Sequence, residues 1–205
     1  KIRYEYGPES LVFAEGTYRG SPFWMRSRFA ALFGNPQNIT HPGISCMLNC
    51  NSLAMAVAGG IFTVPPLSRT KCLVLWGQNP ADSSSRMMAS IKRRVEKGDF
   101  KLIVIDPRRT KVAETADIWL QIRPGTDGAL ALGWLNIIIS RGLYNKEFVE
   151  DWTYGFDSLS DRVRHYDPDR VAEITGLSAD QIVASAGMYA ASNPSVLVRG
   201  LATDQ

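Results

Sequence analysis

Short continuous apolar runs alternate with stretches in which apolar residues recur at helical spacing. Runs of this kind predict buried strands. The predicted strands are Cys72–Trp76, Leu102–Ile105, Ile118–Ile122 and Ser195–Val198. Between the first two runs, Met88, Ile91 and Val95 repeat at the spacing of a helix, which Gly98 would end. A strand, a helix and a second strand in this order predict a right-handed βαβ unit with parallel strands.

Helices are predicted before and after this unit along the chain, and capping residues indicate where some of them begin. Asp167-Pro168 is typical of a helix start, and Ser178 with Gln181 has the spacing of a capping box. The predicted helices are Pro22–Phe33, one within Cys46–Ala58, Asp127–Ser140, Lys146–Trp152, one ending at Gly176 and one ending at Ala191. The fold class is therefore α/β: three layers, with a mostly parallel, Rossmann-like sheet and helices on both faces.

Composition narrows the class of protein further. The 205 residues are 45% hydrophobic and 21% charged, which argues against a disordered chain, a collagen-like fibre or a coiled coil. No apolar run reaches the roughly 18 residues of a transmembrane segment. The net charge is +3, and the basic clusters are interleaved with apolar residues, so we expect no nucleic-acid partner. Three cysteines are too few for a disulfide framework.

Polar loops follow two of the predicted strands, at the edge where parallel sheets bind ligands. The first loop, Gly77-Gln78-Asn79-Pro80, offers close backbone approach and amide groups, but an ordinary turn explains it equally well. The second begins with Asp106, where an acidic side chain can accept hydrogen bonds from ribose hydroxyls. Arg108 and Arg109 beside it could hold phosphate. The alternative is that Asp106 caps its own turn, and its position after the strand favours the nucleotide.

A third loop, Arg123-Pro-Gly-Thr-Asp127, precedes the long predicted helix. Thr126 or Asp127 can cap the start of that helix. A carboxylate can also accept hydrogen bonds from both N1–H and N2–H of guanine, a donor pair that adenine lacks. The pattern alone favours capping over guanine recognition.

Candidate metal ligands are few. Cys46 and Cys50 lie four residues apart, so on a helix both would face one side. A free cysteine in an apolar stretch is commonly a small buried hydrophobic residue, and Cys72, inside a predicted strand, belongs to the core. His41 and His165 are far apart in the sequence.

These loops, in this order, resemble the molybdopterin oxidoreductases of the dimethyl sulfoxide reductase family. The matching stretches are Lys71–Pro80, Leu102–Thr110, Ala116–Leu130, Gly142–Tyr144, Gly155–Asp157, Ile174–Gly176 and Tyr6–Ser10. Together they extend over almost the whole chain, and several blocks in the family's order are more specific than any one block alone.

The resemblance implies an enzyme that binds molybdenum or tungsten through two molybdopterin guanine dinucleotides, and catalyses two-electron oxidation or reduction of a small-molecule substrate. Since this cofactor contains guanine, the resemblance favours guanine recognition over capping. The residues it assigns to the cofactor are Gly77, Gln78 and Asn79 along the phosphates, Asp106 and Arg108 at the guanosine, and Thr126 and Asp127 near the guanine.

The resemblance also implies a protein ligand to the metal. In many members a side chain such as Cys binds the metal shortly after a turn that Gly34–Asn38 resembles. Cys46 stands at the corresponding place, and a thiolate suits such a metal. Cys46 is preferred over Cys50, and His41 is the second catalytic candidate, beside the metal.

Family members also contain an N-terminal module with a 4Fe-4S cluster and a C-terminal β-barrel, neither of which this sequence supplies. We therefore expect a central piece of a longer polypeptide, inactive alone, whose partners are the remainder of that polypeptide and an iron–sulfur electron-transfer subunit. The predicted divisions are residues 1–44 in a discontinuous α/β domain, 45–194 in a dinucleotide-binding domain, and 195–205 as a strand returning to the first. The compartment, cytoplasmic or periplasmic, stays open.

Two alternatives remain at this point. One is a non-catalytic relative that keeps the fold, such as the large iron–sulfur subunit of respiratory complex I. The other is an NAD-dependent dehydrogenase of the Rossmann type, although the Gly-x-Gly-x-x-Gly fingerprint is missing.

Overall fold

Two sheets of parallel strands are present in the computed structural model of the chain, which describes residues 1–14, 22–37, 39–40, 49–59, 67–200 and 203. They belong to different units of the chain. The first unit comprises Lys1–Phe62 with Asp204–Gln205, and the second comprises Thr63–Thr203.

The first unit combines short strands with helices. Its elements are α1 (Ile2–Tyr6), β1 (Phe13–Ala14), α2 (Pro22–Phe33), β2 (Ile39–Thr40) and α3 (Asn49–Ala58). β1 pairs with β2 in parallel, and the ring of Phe13 packs edge-on against Phe29 at 5.6 Å between centroids. Helix α2 ends where the sequence predicted, before Gly34, whose φ of 101° lies in the region that favours glycine.

The second unit contains the larger sheet. Its strands are β3 (Cys72–Trp76), β4 (Lys101–Ile105), β5 (Ile118–Leu120) and β6 (Ser195–Arg199). Its helices are α4 (Pro80–Ser83), α5 (Ser85–Lys97), α6 (Asp127–Ser140), α7 (Lys146–Trp152), α8 (Phe156–Val163), α9 (Pro168–Thr175) and α10 (Ala179–Ala191). The strand order is β5-β4-β3-β6 and every pairing is parallel.

Helices cover both faces of this sheet, because alternate residues of each strand point to opposite sides. Val74 and Trp76 of β3 pack with residues of α6, α9 and α10, whereas Leu73 and Leu75 pack with Ile91 of α5. Every residue of β3 is buried. The predicted three-layer α/β fold is confirmed.

Several predicted helix boundaries are also confirmed. Asp167 accepts a hydrogen bond from the N–H of Arg170, and Ser178 with Gln181 forms the predicted capping box. Gly98 ends α5 in the left-handed conformation. Helices α4 and α8 were not predicted, and β5 ends at Leu120, two residues before the predicted end.

The predicted domain boundaries, after residues 44 and 194, remain predictions; the structure does show where the last strand pairs. Strand β6 lies beside β3, with Val198 opposite Leu75, inside the sheet of the second unit. The reason is that β3 is buried on both faces and needs a hydrogen-bonded neighbour at each edge.

Helices α6 and α9 approach closely at Gly133. A methyl group at this position would lie 2.9 Å from Cγ2 of Val171, a fully buried β-branched side chain that cannot turn away easily. Gly187, in the middle of α10, has open space where a methyl group would be.

We therefore expect Gly133→Ala to destabilise the second unit by about 1–3 kcal/mol through overpacking. Gly187→Ala is the matched control, which should gain roughly 1 kcal/mol of helix propensity. Hydrogen exchange of the α6 and α9 peptides in the full-length protein measures the difference. Equal protection in both variants would contradict the close packing.

Candidate functional site

The carboxyl ends of β3, β4 and β5 lie side by side at one edge of the sheet. The N–H of Gly77 donates to the carbonyl of Ile105 at 2.8 Å, and the N–H of Asp106 donates to the carbonyl of Leu120 at 3.2 Å. The ladder thus continues one residue into each of the first two loops. Because the strands are parallel, the three loops leave the sheet at the same edge, where open α/β sheets bind ligands.

The turn after β3 depends on two glycines. Gly77 has φ 59°, in the left-handed region. Gly200, directly after β6, donates its N–H to the carbonyl of Trp76 at 2.7 Å, and a Cβ at Gly200 would overlap the carbonyl oxygen of Gly77. Gly200 was not among the site residues predicted from the sequence. Its place at the end of a strand was the available signal.

The loop from Gln78 to Asn79 presents unpaired groups. Nδ2 of Asn79 donates to the carboxylate of Asp82 at 2.7 Å, which fixes the orientation of the amide because a carboxylate only accepts. Oδ1 of Asn79 is then buried without a partner. The backbone N–H groups of Gln78 and Asn79 donate to none of the described residues. The loop therefore offers both donors and an acceptor to a ligand.

Asp106 at the end of β4 is only 5% exposed. Its Oδ1 accepts from the N–H of Arg108 at 2.8 Å, so it caps its own turn, as one of the sequence interpretations predicted. Oδ2 accepts no hydrogen bond from the part of the chain that the structure describes. The side chain of Arg108 is 73% exposed, with Nε 3.9 Å from Oδ1 of Asp106. One carboxylate oxygen and the guanidinium group thus remain available to a ligand.

The third loop is held by Arg123 and Thr126. The Nη1 group of Arg123 donates to the carbonyl of Ile174 at 2.8 Å, and the Thr126 hydroxyl donates to the carbonyl of Arg123 at 2.6 Å. Thr126 occupies the N-cap position of α6 but makes no side-chain capping bond. The capping that the sequence pattern alone favoured is therefore not made by the Thr126 side chain, because its hydroxyl donates back into the loop.

Asp127, half-buried at the start of α6, is paired across the site instead. Its Oδ1 accepts from Nε1 of Trp76 at 2.6 Å, which joins the third loop to the end of β3. Oδ2 accepts from no described residue. The predicted residues Gly77, Asp106 and Asp127 therefore belong to one edge of one sheet.

The predicted metal ligand lies elsewhere in the chain. Cys46 and His41 fall outside the residues that the structure describes, and Cys50 lies in α3 of the first unit. Within the described ranges, no three His, Cys, Asp or Glu residues are grouped to hold a metal ion. No helix among them is long and apolar enough to span a membrane.

Comparison with known proteins identifies the family. The family profile described as molybdopterin oxidoreductase matches residues 1–202. The chain belongs to the molybdopterin oxidoreductase family. This confirms the resemblance that the ordered loops indicated.

Relatives with different activities share this segment. Acetylene hydratase of Syntrophotalea acetylenica is 40% identical over 205 residues, all of this chain and 28% of its own length. Formate dehydrogenase H of Escherichia coli is 28% identical over 209 residues, all of this chain and 29% of its own length. The structure of acetylene hydratase from Pelobacter acetylenicus matches 99% of this chain and 28% of its own chain, with a TM-score of 0.78 and 40% identity. The chain thus spans less than a third of these relatives.

Membership of the molybdopterin oxidoreductase family implies a molybdenum or tungsten pterin cofactor. The polar groups at the sheet edge fit part of such a cofactor. The N–H groups of Gln78 and Asn79 and Oδ1 of Asn79 have no hydrogen-bond partner among the described residues. The N–H groups suit phosphate oxygens, and Oδ1 suits a hydroxyl or N–H donor. A buried acceptor without a partner is costly unless a ligand supplies one.

Cys72 of this molybdopterin oxidoreductase segment is a core residue, as predicted. Its side chain is fully buried in β3 and is not disulfide-bonded. Burial raises the pKa of the Cys72 thiol from 9.0 to about 11, and the nearby Asp117 carboxylate adds to the effect. At a pH below this pKa the Cys72 side chain is the neutral thiol, which neither ligates metals nor reacts as a nucleophile.

We expect Cys72 to resist alkylation in the folded full-length protein. At pH 8, iodoacetamide should modify it at least about 100-fold more slowly than in the unfolded protein, since two pKa units lower the thiolate fraction by that factor. Mass spectrometry of the peptide containing β3 gives the rate. A rate equal to that in denaturant would contradict the assigned burial.

Proposed function

We propose that the second unit binds the nucleotide part of a molybdopterin guanine dinucleotide, within a longer enzyme that holds molybdenum or tungsten between two such cofactors. The observation that carries the proposal is the set of acceptors at one sheet edge. Asn79, Asp106 and Asp127 each keep one side-chain oxygen without a hydrogen bond from the described residues.

The chemistry of guanosine matches these acceptors. Its ribose supplies hydroxyl donors, and Asp106, one βαβ unit beyond the Gly77 loop, stands where such sites bind ribose. The Watson–Crick edge of guanine supplies N1–H and N2–H, which suit the carboxylate of Asp127. Thr126, the preceding residue, is assigned to the guanine as well.

The phosphates need donors instead. The backbone N–H groups of Gln78 and Asn79 donate to none of the described residues, and Gly77, which has no side chain, adopts the left-handed φ of 59°. The guanidinium of Arg108, largely exposed, adds a positive charge at the same edge.

The metal would be held by residues of the first unit and by parts of the longer protein. We assign Cys46 as its thiolate ligand, with His41 as a neighbouring group. The cofactor supplies two-electron chemistry to a small-molecule substrate. A 4Fe-4S cluster in the preceding domain and an iron–sulfur partner subunit would carry the electrons.

A second candidate function is hydration. The observation that favours it is the 40% identity to acetylene hydratase over the whole chain. Addition of water to an unsaturated substrate needs no external electron acceptor. The full-length protein would then consume acetylene without a redox dye, whereas an oxidoreductase of the formate dehydrogenase kind would reduce the dye with formate.

The nucleotide assignment is tested on the full-length protein by metal analysis and acid hydrolysis. We expect the protein to contain molybdenum or tungsten and to release GMP in a molar ratio of about two to one over the metal. Asp127→Ala should lower the GMP content by about half, since this unit binds one of the two cofactors. Asp180→Ala is the matched control, since Asp180 is an exposed aspartate in the first turn of α10 and should leave GMP unchanged.

Other results would favour the alternatives. Protein without metal and without guanine nucleotide would point to a non-catalytic relative of the complex I kind. Tight binding of NAD with no response to GDP would point to a dehydrogenase of the Rossmann type. Either result overturns the proposed function.

A further inference from the structure

A hydrogen bond joins Trp76 to Asp127 at the sheet edge. Trp76 is the last residue of β3 and is 6% exposed. Its Nε1 donates to Oδ1 of Asp127 at 2.6 Å, across 51 positions of the sequence. The proposed function uses Asp127 but leaves the indole without a role.

The indole of Trp76 is itself fixed by packing. Its ring meets Trp134 edge-on, with 5.8 Å between centroids, and Trp134 packs on Tyr189 at 5.5 Å. Nε1 of Trp134 donates to the hydroxyl of Ser185 at 3.0 Å inside the core. Trp76 therefore has little freedom to move away from Asp127.

This contact constrains how the carboxylate can be used. An indole N–H only donates, so it requires an unprotonated, accepting oxygen at Oδ1. A half-buried aspartate without such a partner can rotate about its side-chain bonds. Anchoring Oδ1 fixes the carboxylate plane and leaves Oδ2, together with the second lone pair of Oδ1, facing other donors.

We infer that Trp76 is a positioning residue for base selection: its indole holds the carboxylate of Asp127 in the orientation that accepts from N1–H and N2–H of guanine. The inference rests on the proposed function and deepens it. A purely structural contact, which only ties β3 to α6, would affect stability without affecting the choice of base.

The test uses the full-length apoprotein, purified from cells that cannot make molybdopterin. Calorimetry compares GDP with IDP, whose base lacks the N2 amino group. We expect the unchanged protein to prefer GDP, and Trp76→Phe to lower the preference by about tenfold, since the loss removes a hydrogen bond to a charged group. Trp134→Phe is the matched control: it removes an indole donor from the same aromatic stack but leaves Asp127 untouched, so the preference should stay.

A second variant removes only the donor. Benzothienylalanine at position 76 keeps the shape of tryptophan and replaces N–H by sulfur, so it tests the inference even where Trp76→Phe fails to fold. It should lose the preference as Trp76→Phe does.

The outcomes separate the two proposals. The role of Trp76 would be overturned if both position-76 variants kept the preference for GDP while Asp127→Asn lost it. The proposed nucleotide site would then still hold. Equal loss in Trp134→Phe and Trp76→Phe would also overturn it, because the effect would then be structural. Failure of the unchanged protein to bind GDP, and release of no GMP from the holoprotein, would overturn the proposed function itself.

Discussion

The backbone of β3 has no access to water, and the second unit is arranged around that constraint. All of its residues are buried, so its N–H and C=O groups must pair with neighbours on both sides. Strands β4 and β6 supply those pairs in parallel register, and the helices supply the apolar cover on both faces. Since parallel strands end at the same edge, the polar residues after β3, β4 and β5 are brought together by the same requirement.

Trp76 connects this buried core to the site. Its backbone carbonyl accepts the N–H of Gly200, its ring packs on Trp134, and its indole N–H leaves the core to meet Asp127. The largest side chain of β3 is thus satisfied at its polar atom by a site residue, which is the partner that a buried tryptophan needs. Changes at the core end of this stack are expected to alter stability, whereas changes at the Asp127 end are expected to alter the candidate site.

Local sequence patterns were enough to predict the layers of the sheet. They were not enough to predict which residues pair over long distances in the sequence. The continuous apolar run of β3 and the capping box at Ser178 are encoded within a few residues, so the sequence predicted them. The partner of Asp127 lies 51 positions away, and only the assembled sheet places the indole beside it. The same reason explains the position of β6, which follows from the open edge of β3 and not from its own residues. His41 and Cys46 remain predictions.

The polar atoms left over at the sheet edge limit the class of ligand. The backbone N–H groups of Gln78 and Asn79, which donate to nothing in the described part of the chain, suit an acceptor such as phosphate, while the buried Oδ1 of Asn79 suits a donor. A ligand that carried phosphates alone would leave that oxygen unpaired, at a cost of about 1–3 kcal/mol. A base or sugar alone would leave the N–H groups to water. The proposed nucleotide diphosphate ester would satisfy both along its length, and among the common bases guanine offers the adjacent N1–H and N2–H donors that a carboxylate accepts.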